Sequence, residues 1–425
     1  MPTNQLGLAF TAANDDAVGA IDRSIDEYLG MGRDTGRYLK DALTADPAMV
    51  MGLVLRGYFF KLMGLPALLP RAGQALEAAR AKSDAATQRE RLHVSALAAW
   101  CAGDFEGAIA AWEAILRDFP HDVLALRLAS HLYFYLGDSA GIRDSVARVM
   151  PAWDAAMPGY AYLLGIHAFG LEETGDYRAA EKSGRTAVEL NPRDRWAVHA
   201  VAHVMDSEER YAEGLEWLEA LEPHWSGAHN FRYHLLWHRA LMHLGRGEHE
   251  QALALYDERL WDPESDEYLD LCNDASLLAR LELAGVDVGD RWQAVADKVD
   301  KQVDTRILAF VDAHYVLALA AAGRSERVAQ VLQAIGRYAA DSRETTARVT
   351  AEVGSTLCEA LVAWRAQDFE RVIAALAPVR AKMSRIGGSH AQRDLITQVL
   401  TASANAAGRT DLARAILTEK RKKGG

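Results

Sequence analysis

The chain has 425 residues and a net charge of −12, and half of its residues are hydrophobic. We expect no nucleic-acid partner, because counterion release from nucleic acid requires a basic surface. The one basic cluster, Lys420 to Lys423, is interpreted as a solubilising end. The three cysteines are far apart and lack C-x-x-C spacing, which argues against a disulfide framework or a structural zinc site and fits a reducing compartment.

The beginning of the chain has neither the basic nor the apolar region of a signal peptide. No run of residues approaches the roughly 18 apolar residues that a membrane-spanning helix needs. The sequence therefore predicts a cytoplasmic protein with no membrane partner.

A short phrase recurs along the chain: a turn, then a marker residue that is usually aromatic, then a small residue three positions later. Only 11 prolines interrupt the chain, and helix-forming residues dominate it, so we expect an all-α fold. The markers are Phe105, Ser139, Tyr177, Tyr211 and His249, with a weaker copy at Phe369. The first five lie 34, 38, 34 and 38 residues apart. A tetratricopeptide repeat has about 34 residues.

Each repeat is predicted to be a helical hairpin whose first helix precedes the turn and whose second helix follows it. One hairpin cannot bury its apolar face alone, so successive hairpins should stack. The predicted architecture is a strongly curved α-solenoid, or superhelix, of tetratricopeptide-like hairpins. We expect an N-terminal helical cap in residues 1–40, tetratricopeptide-like repeats in 41–260, and divergent helical-hairpin repeats in 261–425 that continue the first array.

The histidines concentrate on the predicted first helices, which line the concave face of tetratricopeptide arrays. Ten of the 14 histidines fall there. His93 and His199 each precede their marker by 12 residues, and His131 and His203 precede theirs by 8. Imidazoles should therefore recur on the same face of successive helices.

Two H-x-x-x-H pairs are the most concentrated signals, His199 with His203 and His234 with His238. This spacing places both imidazoles on one helix face, as in metal-binding helices, and two pairs could supply four nitrogens to Zn²⁺ or Fe²⁺. The same imidazoles could instead act as general acid and base. A structural interpretation also stands, because the glutamate of the H-E-x-x-H motif is missing.

Other polar residues could complete such a site. Asn273 and Asp274 interrupt an apolar run, and His314 follows Asp312 closely. Trp196 and Trp237 flank the histidine pairs and could form the walls of a pocket. For the carboxylates, pairing on the helix surface is the alternative.

The phrase from Gly387 to Asp394 predicts a helix start. Ser389 should be the N-cap, with Gln392 completing a capping box, and the glycines should end the preceding helix. His390 and Arg393 are not explained by that role. Beside a helix N-terminus, Arg393 could hold a carboxylate or phosphate.

The repeats and histidine phrases together resemble the tetratricopeptide repeat protein 38 family over nearly the whole chain. The most specific segments are Trp196–His203, Phe231–Leu241, Asp274–Leu278, Asp312–His314 and Gly387–Asp394. The resemblance implies a cytoplasmic helical-repeat protein, and it implies no activity. The segment Leu136–Ser139 lacks the turn aromatic, so its hairpin could pack differently.

Two functional hypotheses follow. In the first, a histidine-rich pocket on the concave face binds a small anionic molecule and hydrolyses it by acid–base or metal-assisted chemistry. Its catalytic candidates are His199, His203, His234, His238, Asp274, His314 and His390. Its substrate-binding candidates are Arg393, Trp196, Trp237 and Asn273. In the second, the chain is a non-catalytic scaffold that binds a peptide or partner protein along its groove. A homodimer is left open.

Overall fold

This computed structural model describes residues 1–423, with side chains as far as residue 419, and helices joined by turns make up most of the chain from Asp15 onward. Within that range no strand forms, and only two isolated bridges occur, Thr3 with Ala9 and Gly32 with Ala228. The predicted all-α class is confirmed. None of the described helices is long and apolar enough to cross a membrane. The side chains of the Lys420–Lys423 cluster lie outside the described residues.

The contacts divide the chain into two compact units. The first contains residues 1–133, 139–201 and 221–229, and the second contains residues 134–138, 202–220 and those from 230 onward. The helices of the first unit are α1 Asp15–Leu29, α2 Thr35–Ala45, α3 Val50–Leu62, α4 Leu69–Arg80, α5 Gln88–Cys101, α6 Phe105–Asp118, most of α7 Val123–Leu136, α8 Ser139–Val149, α9 Tyr160–Glu173, α10 Tyr177–Leu190 and the first half of α11 Arg195–Ser207.

The first helical segment of the second unit is the end of α11. They continue with α12 Tyr211–Leu221, α13 Phe231–Gly245, α14 His249–Leu255, α15 Tyr268–Leu283, α16 Arg291–Val299, α17 Ala309–Ala321, α18 Ser325–Asp341, α19 Thr345–Val349, α20 Ser355–Arg365, α21 Phe369–Val379, α22 His390–Ala406 and α23 Thr410–Lys423. The π-helical turn Tyr256–Leu260 follows α14, and a second one, Thr350–Gly354, precedes α20.

Every predicted marker is the first residue of a helix: Phe105, Ser139, Tyr177, Tyr211, His249 and Phe369 begin α6, α8, α10, α12, α14 and α21. At Phe105 the local chemistry explains this. Gly103 has a φ of +74°, and the Asp104 side chain accepts a hydrogen bond from the Gly107 amide at 2.9 Å. A left-handed glycine ends one helix and an aspartate caps the next. The helices on either side of such turns pack together, as in α5 with α6, α9 with α10, and α13 with α14.

Two helices form the centre of the second unit. Residues 270–281 of α15 and 309–319 of α17 are buried on every face. Helix α15 packs against α13, α17 and α22. Polar side chains on this part of α15 are therefore shielded from bulk water, and leaving their polar atoms unbonded is costly. The predicted boundary after residue 40 falls inside α2, and the one after residue 260 coincides with the end of a π-helical turn.

Candidate functional site

Three histidines of the second unit converge, one from the end of α11 and two from α13. The ring of His203 lies 4.4 Å from that of His238, centroid to centroid, and His234 lies 4.8 Å from His238. Each can bring a ring nitrogen within 4.8 Å of the nitrogens of the others. His203 and His238 are fully buried, and His234 is partly exposed. We call these three residues the histidine cluster.

Burial keeps the histidine cluster uncharged. Loss of hydration lowers the pKa of His234 to about 4. The same cause, with the neighbouring imidazoles, holds the pKa values of His203 and His238 well below the usual range. All three rings are therefore neutral near pH 7. A metal binds the lone pair of neutral imidazole, whereas a general acid needs the extra proton.

Asn273 of α15 fixes the orientation of His234. The Nδ1 atom of His234 lies 3.0 Å from Asn273 Oδ1. Because that oxygen accepts, Nδ1 carries the proton and the lone pair is on Nε2. Trp237, one turn along α13, stacks on His234 with an interplanar angle of 12° and a centroid separation of 5.3 Å. This is how a metal-ligating histidine is commonly held by a second residue.

One stripe of α15 carries three buried polar residues, Asn273, Ser276 and Arg280. Their spacing of three and then four residues places them on one helix face. Each is at most 4% exposed. Asn273 Nδ2, Ser276 Oγ, and Arg280 Nε and Nη1 have no hydrogen-bond partner among the described residues. Buried polar atoms are nearly always bonded, so such a run of unbonded atoms is unusual.

The Arg280 guanidinium is held on two sides. Its Nη2 donates to the backbone carbonyl of Ala391, in the first turn of α22. Its central carbon lies 5.7 Å from the centroid of Trp237, in cation–π contact. Its charge also contributes to the lowered pKa values of His238 and His314. Arg280 is therefore adjacent to both the histidine cluster and α17.

His314 of α17 faces the same region. Its Nδ1 donates to the Phe310 carbonyl at 2.7 Å, and its ring packs 4.2 Å from that of Phe310. The proton is therefore on Nδ1, and the Nε2 lone pair is buried and has no donor among the described residues. Burial lowers the pKa of His314 to about 4.

The start of α22 follows the prediction. The backbone N–H of Gln392 donates to Ser389 Oγ at 3.3 Å, and the backbone N–H of Ser389 donates to Gln392 Oε1 at 2.9 Å. The capping box is therefore confirmed. Arg393 donates to the carbonyl of Gly388. The charges of His390 and Arg393 contribute to the lowered pKa of His203, which brings both predicted residues into the same region of the second unit.

Asp274 belongs to a different polar group. Burial raises its pKa well above the usual range, and the charges that act on it are those of Asp270, Lys298 and Asp262. Asp270 accepts hydrogen bonds from Ser265 and Asn230, each at 2.6 Å. The structure thus places Asp274 with an acidic network beside α15.

Two predicted residues belong to the first unit. His199 stacks on Phe169 at 5.5 Å and lies 5.0 Å from Trp196, centroid to centroid. Arg127 sits over Trp196 at 4.0 Å. Within this unit they form an aromatic cluster.

Sequence reasoning missed Ser276 and Arg280. The available signal was Arg280 itself, a charged residue within the apolar run Leu277–Leu283. An arginine at such a position is rarely buried without a partner.

A separate surface cleft of about 520 Å³ is lined by residues that include Tyr256, Asp257, Trp261 and Arg291. Arg291 is already bonded there to Asp257 at 2.6 Å. The cleft shares no lining residue with the histidine cluster, and its paired charges give no reason to place the chemistry there.

No known protein-family model matches this chain.

Proposed function

We propose that the second unit binds a divalent transition metal, zinc or iron, through His203, His234 and His238, and uses it to hydrolyse a small anionic molecule. The observation that carries this proposal is the convergence of three neutral imidazoles from two helices, with their ring nitrogens within 4.8 Å of one another. Imidazole is a preferred ligand of both metals. Three protein ligands with an open coordination position are typical of catalytic zinc sites.

The chain's own residues prepare the site. Asn273 orients the ring of His234 through Nδ1, and Trp237 covers one face of that ring. Burial of His203 and His238 excludes bulk water, which strengthens electrostatic interactions within the site. A bound metal would supply a water molecule of lowered pKa. Hydrolysis adds the hydroxyl of that water to the electrophilic carbon or phosphorus, and its remaining proton goes to the leaving group.

Metal content tests the proposal directly. We would purify the chain without chelator or affinity metal and measure its elements beside two variants, His238→Ala and His243→Ala. His243 is a matched control on the same helix, where it is partly exposed and paired with Glu248 at 2.8 Å. We expect close to one zinc or iron per chain, retained in His243→Ala and lost in His238→Ala. Circular dichroism would show that both variants fold.

Either of two results would contradict the metal centre. One is wild-type protein that binds neither zinc nor iron(II) after reconstitution, and the other is a folded His238→Ala variant with full metal content. If the metal centre is found, hydrolysis would be examined with p-nitrophenyl acetate and p-nitrophenyl phosphate. Turnover that requires metal and disappears in His238→Ala is the expected result.

The alternative function is a scaffold that binds a peptide or partner protein along a groove. The serial hairpins, whose second helices begin at the predicted markers, support it. Failure to bind metal, together with a stoichiometric complex with a partner recovered by pull-down, would favour this alternative.

We also propose that the hairpins stack as a tetratricopeptide-like solenoid, as in the tetratricopeptide repeat protein 38 family. The Gly-Asp turns and the capping box of α22 support this proposal. Small-angle scattering would test it, since a solenoid gives a larger radius of gyration than a globule of equal length. A cytoplasmic location is supported by the three unpaired thiols and would be tested by fractionation.

A further inference from the structure

We infer that Arg280 binds a carboxylate or phosphate group of the small molecule that the second unit holds. That this molecule is a substrate rests on the proposed function. The binding of the anionic group itself can be measured without metal.

The first step concerns the charge of Arg280. A guanidinium remains protonated in proteins, so burying it without an anion is costly. Arg280 is 4% exposed, and its one hydrogen bond goes from Nη2 to the neutral carbonyl of Ala391. The N–H groups of Nε and Nη1 have no acceptor among the described residues. The side chain therefore has both a charge and several donors to offer.

The second step concerns the carboxylates nearby. Asp206 and Asp394 act on Arg280 through their charge, and neither accepts a hydrogen bond from it within the described chain. Asp394 instead accepts from Gln398 at 2.7 Å. These aspartates balance the positive potential of the region from a distance, and they leave the guanidinium donors available for another oxygen.

The third step concerns the other polar atoms around Arg280. Trp237 Nε1 and Asn273 Nδ2 are further buried donors without a partner, whereas His314 Nε2 is a buried acceptor. Donors outnumber acceptors, which suits an oxygen-rich anion. His314 Nε2, with the Ser276 hydroxyl that can donate or accept, suits a ligand that also has a hydroxyl hydrogen, as in a hydroxy acid or a monohydrogen phosphate.

The fourth step sets the size of the ligand. Seven residues of α15 separate Asn273 from Arg280, a rise of about 10 Å. A molecule with its anionic group at Arg280 would therefore extend about 10 Å to reach His234, which Asn273 contacts. That length fits a small molecule with an extended chain of about eight bonds and not a polymer.

This inference changes the residue assigned to the anion. The sequence favoured Arg393, but Arg393 donates to the carbonyl of Gly388 and sits at the start of its own helix. Arg280 is the more deeply buried of the two, and it is the one whose donors remain without acceptors.

Calorimetric titration of metal-free, chelator-treated protein tests the inference. The probes are succinate and inorganic phosphate, at constant ionic strength with chloride as the reference anion. The variants are Arg280→Gln, Arg280→Lys and Arg393→Gln, with Arg291→Gln as a control from the surface cleft. We expect saturable binding of at least one probe. The affinity should fall at least about tenfold in Arg280→Gln and remain within about twofold in Arg291→Gln.

The two probes distinguish the chemical classes. Binding of succinate alone identifies a carboxylate site, and binding of phosphate alone identifies a phosphate site. If Arg280→Gln fails to fold, Arg280→Lys keeps the charge but loses the planar arrangement of donors and should still weaken binding. Amide exchange in the first turn of α22, where Ala391 lies, should also slow when the probe binds the wild type.

Three results would overturn the inference: no saturable binding of either probe, unchanged affinity in the folded Arg280 variants, or loss of affinity confined to Arg393→Gln. The first is expected if water molecules bridge these polar atoms instead. Because the titration is done without metal, its outcome does not depend on whether the proposed metal centre exists. A failed anion site likewise leaves the metal analysis of His238→Ala unaffected.

Discussion

Acidification should destabilise the metal-free protein through His314, a residue outside the histidine cluster. Burial holds the pKa of His314 at about 4 in the folded chain, against 6.5 for an ordinary imidazole. Between these two values the unfolded chain binds the extra proton and the folded chain does not. The free energy of unfolding therefore rises with pH across this window, and the contribution is lost as the pH falls from 6.5 towards 4.

The size of the effect follows from the two pKa values. Their difference, at about 1.4 kcal/mol per pH unit, amounts to about 3 kcal/mol for this one side chain. A typical domain is stable by about 5–15 kcal/mol, so one histidine could remove a large part of that stability.

Urea unfolding, followed by circular dichroism at several pH values from 4 to 7, would measure the effect. The comparison is His314→Asn, which cannot titrate here but keeps a side-chain N–H for the Phe310 carbonyl. Wild-type protein should lose about 3 kcal/mol more than the variant on going from pH 7 to pH 4. His243→Asn shows the effect of removing a histidine from outside the site. An equal loss in wild type and His314→Asn would refute the reasoning.

Three further outcomes are expected. Asp122 is buried and bonded to Arg89 at 2.8 Å. Asp122→Ala should lower the free energy of unfolding in urea by about 3–5 kcal/mol, because the charge of Arg89 would be buried without its partner. A loss below about 1 kcal/mol would contradict this. Asn273→Ala should weaken zinc binding about 10–100-fold in a chelator competition, and unchanged affinity would remove its orienting role. Gly388 has a φ of +80°, and an added Cβ would lie 2.9 Å from the Phe310 ring. Gly388→Ala should therefore destabilise the fold by more than about 1 kcal/mol. Unchanged urea unfolding would show that the loop adapts.

Local chemistry accounts for what the sequence predicted well. Phe105 and Tyr177 begin their helices because a glycine and a capping aspartate act within a few residues. The Ser389–Gln392 capping box is also local. The pair His234 and His238 shares a helix face as the spacing of four residues required, and the rings lie 4.8 Å apart.

The meeting of different helices depends on long-range packing, which residue spacing does not encode. The sequence grouped Asp274 with the histidines, whereas the charges that act on Asp274 in the structure are those of Asp270, Lys298 and Asp262. It missed Arg280, because burial of that residue depends on α13, α17 and α22 packing around α15. The catalytic and binding roles of the other candidates remain predictions.

The bond between Arg280 and the carbonyl of Ala391 has a consequence for the tolerance of the chain to mutation. A carbonyl is present whatever side chain residue 391 carries, so substitutions there could leave the bond intact. Insertion or deletion of a residue between Gly387 and Ser389 would instead rotate or shift the start of α22, and a different carbonyl would face the guanidinium. The bond to Arg280 therefore depends on the length of this segment and not on which side chain residue 391 carries.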